Sequence, residues 1–258
     1  MNPASFLQCP SRWANGYLLA LVAVLFVGVA DARANPREGI TLQSTRVIYP
    51  QERKKGITFI LKNDAQVPYL IQSNVVPLPD NNAASKQTET PFIVLPPLKR
   101  LDADEQLTLT LRVTKNSLPD DRESVFALQI KAIPAKSDSS ENNLPGQVKV
   151  MLALQNTLKL FYRPAQLPVY TIEQISDELR FAKQGSQLVV SNSSPYYVTF
   201  KSLVVGNTAI DANALFQMIP PFAQLALPLS ASASGEVQWQ LINDYGYASD
   251  TYRRPLTQ

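Results

Sequence analysis

Few side chains in this chain of 258 residues could do covalent or metal chemistry, because it has no histidine and a single cysteine, Cys9. A Ser-His-Asp triad, a Cys-His pair and a histidine metal site are therefore excluded. No GxSxG elbow, P-loop or dinucleotide fingerprint occurs. Asp102, Asp104 and Glu105 could be drawn as a Ca²⁺ site or a carboxylate pair. They follow LPPLKRL and precede an alternating apolar run, so the expected role is a solvated turn before a strand. A glycosidase working with carboxylates alone is the one hydrolytic chemistry formally open. We expect no enzyme and no cofactor or metal.

Non-covalent chemistry has a stronger candidate. From Gln147 to Arg163 the chain reads QVKVMLALQNTLKLFYR. Val148, Val150, Leu152 and Leu154 fall at every second position, and the spacing resumes after Asn156 with Leu158, Leu160 and Tyr162. A period of two puts these side chains on one face of an extended strand. At roughly 3.3 Å per residue the stretch spans about 55 Å, far more than a typical strand of about five or six residues. Part of it should lie at a sheet edge or beyond it, with apolar side chains that the chain itself leaves uncovered. Such an edge is an aggregation hazard unless a partner takes it.

The elements around this stretch are short alternating or β-branched runs separated by polar and proline-bearing turns. They are Ile40–Tyr49, Gly56–Asn63, Pro68–Val76, Gln106–Thr114 and Ser124–Ile133 before it, and Ser186–Ser194, Pro195–Val205, Ala226–Ser230 and Gly235–Asp244 after it. Many strands at this spacing without a convincing amphipathic helix predict an all-β protein of sandwich type. Asp80–Thr90 and Ala135–Gly146 read as polar loops, and residues 206–225 resist assignment. Arg163-Pro164-Ala165-Gln166-Leu167-Pro168 reads as a stiff linker. The expected domains are 35–163 and 164–258.

The N-terminus supplies an address. Arg12 precedes an apolar run from Tyr17 to Ala30, and both Ala30-Asp31-Ala32 and Ala32-Arg33-Ala34 fit a small-x-small cleavage site. Residues 1–34 are expected to be a secretory signal peptide, cleaved after Ala32 or Ala34. The alternative, a membrane anchor, is disfavoured because the run is short for a span of about 20 residues. Cleavage would remove Cys9 and lower the formal net charge of +3 by about one unit. That balance gives no electrostatic case for nucleic acid or an anionic membrane surface.

Several segments in this order and spacing resemble the periplasmic chaperones of pilus assembly, the PapD-like family. They are LPDDRESVFALQIKAIPA (Leu118–Ala135), LFYRPA (Leu160–Ala165), SPYYVTF (Ser194–Phe200), INDYG (Ile242–Gly246), TLQSTRVIYP near the start and VLPPLKRL (Val94–Leu101). The pattern departs at Ala127, where an aromatic is usual, and at Gln129, where Asn is usual. The resemblance implies two immunoglobulin-like β-sandwich domains set at an angle, with a cleft between them that receives a pilin subunit. It implies that the long strand is lent to a pilin lacking its last strand, with Val150, Leu152 and Leu154 entering the pilin groove. Arg46 and Lys159 match the cations that hold the pilin's C-terminal carboxylate. Glu123, Arg163 and Asp244 match a triad bridging the domains.

The function so implied is that of a periplasmic chaperone delivering pilins to an outer-membrane usher, without a cofactor. The same strand offers a route for free copies to self-associate. The loop 135–146 is long for chaperones serving thick rods. The long-loop subclass usually carries a disulfide near this strand, which a chain with one cysteine cannot form. The expectation leans to the short-loop subclass with an extended loop. Two rival readings are a structural fimbrial subunit or adhesin and a secreted carbohydrate-binding sandwich. The first should carry an N-terminal donor extension, and the second should show aromatic platforms or paired carboxylates.

Overall fold

A computed structural model describes residues 39–78, 90–114, 117–135 and 152–256. Glu38–Gln258 forms one compact unit. Residues 1–34 and Val150, to which the sequence assigned a signal peptide and a donor position, lie outside the described residues. Among those residues no helix is long and apolar enough to cross a membrane.

The first half contributes β1 (Ile40–Leu42), β2 (Arg46–Pro50), β3 (Ile57–Asn63), β4 (Tyr69–Pro77), β5 (Phe92–Leu95), β6 (Leu98–Leu101), β7 (Gln106–Val113), β8 (Ser124–Pro134) and β9 (Leu154–Arg163). One sheet has the order β1-β3-β7-β5 and the other β2-β9-β8-β4-β6. Alternation supplies their facing sides. Phe59 and Leu61 of β3 and Leu107, Leu109 and Leu111 of β7 meet Ile71, Val75, Phe126, Leu128 and Ile130 from the second sheet, all buried in one core.

The run Ile40–Tyr49, expected as one strand, is two strands in different sheets. β1 pairs with β3, whereas β2 runs parallel to β9. The crossing is held by Gln43, whose N–H donates to the Ile60 carbonyl and whose Oε1 accepts from the Ile60 N–H, each at 3.0 Å. Alternation is blind to such a switch, because the inward side chains keep their period while the partner sheet changes.

The second half contains α1 (Ile172–Asp177), β10 (Leu179–Gln184), β11 (Gln187–Asn192), β12 (Phe200–Val205), β13 (Thr208–Ala209), β14 (Gln224–Pro228), β15 (Glu236–Leu241) and β16 (Tyr252–Pro255). Its sheets have the orders β10-β11-β14 and β13-β12-β15-β16 around a separate core that includes Phe181, Leu188, Val190, Leu203 and Trp239. The short helix was not expected. It is started by a capping box between Thr171 and Gln174 and fixed to the core by Trp239 Nε1–H, which donates to Ser176 Oγ at 2.9 Å. The unassigned residues 206–225 hold β13 and a 3₁₀ turn at Ala214–Phe216. The architecture is all-β, two immunoglobulin-like sandwiches.

Candidate functional site

The site begins with the register of the parallel pair β2–β9, in which Arg46 is the partner of Lys159. Val47 and Tyr49 of β2, and Leu158, Leu160 and Tyr162 of β9, point into the first core. The alternate positions Arg46, Lys159 and Phe161 must therefore face out of the first sandwich. They face the second sandwich. Arg46 Nη1–H donates to the Ile242 carbonyl at 3.2 Å, the Arg46 guanidinium lies 5.5 Å from the Phe161 ring centroid, and Phe161 packs on Tyr197 at 6.2 Å.

A cleft of about 410 Å³ opens beside this pair, with Thr45, Thr157, Lys201 and Phe216 among its walls. Lys159 has no hydrogen-bond or ion-pair partner among the described residues. Burial, aided by the neighbouring Arg46 charge, pulls its ammonium down to about 8. Burial also lowers Arg46, against the pull of Asp244 and Glu123. Two cations held side by side and partly dehydrated form a site suited to an anion, above all a carboxylate that accepts from both.

β9 changes character just before Lys159. Leu154–Tyr162 pairs with β8, but β2 covers only Lys159–Arg163 on the other side. One edge of Leu154–Leu158 is therefore without a strand among the described residues. Leu154 shares the face of Leu158 and Leu160 yet is 59% exposed, and Leu152, just before β9, is 73% exposed, while Leu160 is fully buried.

Glu123, Arg163 and Asp244 come together. Arg163 Nε–H donates to Glu123 Oε1 at 2.6 Å, and its two Nη groups donate to the Asp244 carboxylate at 2.6 Å each. Glu123 Oε2 accepts from the Tyr197 N–H at 2.9 Å, and the Arg163 guanidinium sits 5.1 Å from the Tyr196 ring centroid. Burial pushes the Glu123 carboxyl up, opposed by Arg163 and the Tyr197 N–H. Burial tends to lower Arg163, but its bonds and charge pairing with Asp244 and Glu123 outweigh this and hold it above its ordinary value.

Gly246 closes the cleft floor. Its φ is +85°, and a Cβ there would overlap Thr45 Oγ1. The acidic turn is engaged locally instead: Arg100 pairs with Asp102 at 2.8 Å, and the Asp102 N–H donates to Glu105 Oε2 at 2.8 Å. Among the described residues no group of three or more His, Cys, Asp or Glu could hold a metal.

The model of the PapD N-terminal domain of pili and flagellar-assembly chaperones matches residues 39–168, and that of the PapD C-terminal domain of pili assembly chaperones matches 174–253. The chain belongs to the PapD-like family of pilus-assembly chaperones. It is 37% identical over 232 residues to the chaperone protein FimC of Escherichia coli, covering 89% of this chain and 87% of that protein. It is 34% identical over 215 residues to the chaperone protein LpfB of Salmonella typhimurium, covering 82% and 87%. Among solved structures, the complex of Salmonella enterica SafA pilin with the SafB chaperone matches at a TM-score of 0.72 and 32% identity, covering 86% of this chain and 99% of that one. The E. coli chaperone DraB matches at 0.70 and 29%, covering 85% and 97%.

Residues of this chaperone's cleft that sequence reasoning passed over are Thr45, Thr157, Lys201 and Phe216. Lys201 carried a signal: it is the one charged residue in YYVTFKSLVV, opposite in alternation to the buried Phe200.

Proposed function

We propose that this chaperone works in the periplasm, capturing pilin subunits by lending them the open edge of β9 and passing them to an outer-membrane usher. Export depends on the signal peptide at residues 1–34, and the working domains are 35–163 and 164–258. The observation that carries the reading is the Arg46–Lys159 register, set where β9 passes, among the described residues, from two flanking strands to one. A pilin strand laid along Leu154–Leu158 would run into two cations at its end, neither of them paired with a carboxylate among the described residues. A terminal carboxylate meeting them would make charge-assisted hydrogen bonds worth roughly 1.5–3 kcal/mol each. Val150, Leu152 and Leu154 entering a groove would contribute roughly 1.5–3 kcal/mol apiece before association costs.

The division of labour follows from these magnitudes. Affinity comes chiefly from the apolar side chains, and the cations fix register, since a slip of one residue turns every apolar side chain away from the groove. Glu123, Arg163 and Asp244 hold the sandwiches in the arrangement that keeps both cations in the cleft. Free copies have the same edge to offer each other. No nucleotide, metal or catalytic step is involved.

Co-expression of a pilin subunit with the double variant Arg46→Ala, Lys159→Ala tests the reading. The variant should fold and accumulate while the pilin is degraded or aggregates. Pilin recovery equal to that with the unaltered chaperone would contradict the anchor assignment.

A further inference from the structure

The cleft holds more positive charge than one terminal carboxylate can balance. Arg46 and Lys159 stand on the wall made by the first sandwich, and Lys201 of β12 stands on the wall made by the second. Lys201 is exposed and has no hydrogen-bond or ion-pair partner among the described residues. The acidic groups acting on Arg46, Glu123 and Asp244, are already engaged by Arg163. Three cations thus share one concave surface without a carboxylate of the described residues in contact with any of them.

The local backbone shows why Lys201 is aimed there. In the β12–β15 pair, Phe200 faces Leu241 and Ser202 faces Gln240, leaving Lys201 as the unpaired residue of a β-bulge. A bulge interrupts the alternation and redirects the extra side chain. Phe200 on one side and Leu203 on the other remain in the second core. The bulge therefore delivers a cation to the cleft without disturbing the packing beneath it. The 76% exposed Phe216 ring lines the same wall and offers an apolar surface for the stem of a longer acidic side chain.

We propose that Lys201 receives a second carboxylate, carried by an acidic side chain close to the C-terminus of the client segment whose terminal carboxylate meets Arg46 and Lys159. The inference rests on the carboxylate-anchor reading and adds a selectivity to it. Clients with an Asp or Glu at the right place are preferred over those with a neutral residue there.

Fluorescence anisotropy with synthetic peptides separates the two. The probes are short alternating Val/Thr strands labelled at the N-terminus, with the C-terminus either free or amidated. A single Asp, or its Asn control, is moved through the positions preceding the last residue. With the unaltered full-length chaperone, one Asp position should bind about tenfold tighter than its Asn control. Lys201→Gln should reduce that preference to within about twofold, and Lys201→Glu should transfer it to a peptide carrying Lys at the same position. A free terminus preferred over the amide, with no Asp position preferred over Asn, would overturn this inference and leave the anchor reading standing. Indifference to amidation would overturn both, and an Asp preference that survives in Lys201→Gln would assign the second carboxylate to another group.

Discussion

Lys159–Tyr162 lies between β2 and β8, whereas Leu154–Leu158 has β8 alone beside it among the described residues. Both halves of β9 carry the same alternation of apolar and polar residues. Leu158, Leu160 and Tyr162 are buried in the first core, whereas Leu154 on the same face and Leu152 just before β9 are mostly exposed. The difference is one of supply. Among the described residues, side chains of the sandwich cover the second half of the face and leave the first mostly open. On the proposed function, the apolar pattern there serves the bound pilin.

The sharpest way to break this comparison is to remove an apolar side chain from each half in turn. Leu152→Glu or Leu154→Glu should abolish pilin capture in co-expression while leaving the thermal transition within a degree or two. Leu160→Ala, at a fully buried position, should cost about 3 kcal/mol in urea denaturation. Unfolding by Leu154→Glu would mean that both halves are ordinary core.

The ion network gives the next largest effect. Arg163→Ala leaves Glu123 buried without its charge partner and should destabilise the protein by about 3–5 kcal/mol. Asp244 is nearly half exposed, so Asp244→Ala should cost only about 1 kcal/mol in the same urea titration. Equal costs for the two would show that the network is not graded by burial.

Gly246→Ala probes the cleft floor. The positive φ and the overlap with Thr45 Oγ1 together should cost about 1–2 kcal/mol, read by thermal denaturation. Adding Thr45→Ala removes the overlap and should recover part of the loss, with the backbone strain remaining.

The smallest effect is a pH dependence confined to the anchored end. Lys159 is held down to about 8 in the free protein. A carboxylate ligand binds its protonated form, so affinity should be full below that value and fall as pH rises through it. Stability carries the opposite sign. The depressed value contributes stability above the ordinary lysine range, and that contribution is lost as pH falls through about 8. Lys159→Arg should flatten the affinity profile measured by peptide titration, since arginine stays charged throughout.

Much of this was legible in the chain. The two-residue period predicted the strands, and the alternating run Gln147–Arg163 contains β9, whose described part, Leu154–Arg163, has a strand along only part of one edge among the described residues. Glu123, Arg163 and Asp244 were recognisable through the motifs around them, although 40 and 81 residues separate the bonded pairs. The switch of sheets at Gln43–Thr45 was not legible, because it depends on which strand lies alongside and not on the alternation. The helix Ile172–Asp177 is too short to show a period, and only the Thr171–Gln174 capping box announces it. The charge of Lys201 in an apolar run was visible in the sequence, but the bulge that aims it into the cleft was not.

The most direct test is amide hydrogen exchange along β9 with and without a bound pilin. Alternate amides in Leu154–Leu158, those directed away from β8, should become protected on binding, while Lys159–Tyr162, already flanked on both sides, should change little. Unchanged exchange in Leu154–Leu158 in a verified complex would contradict the donation of this strand.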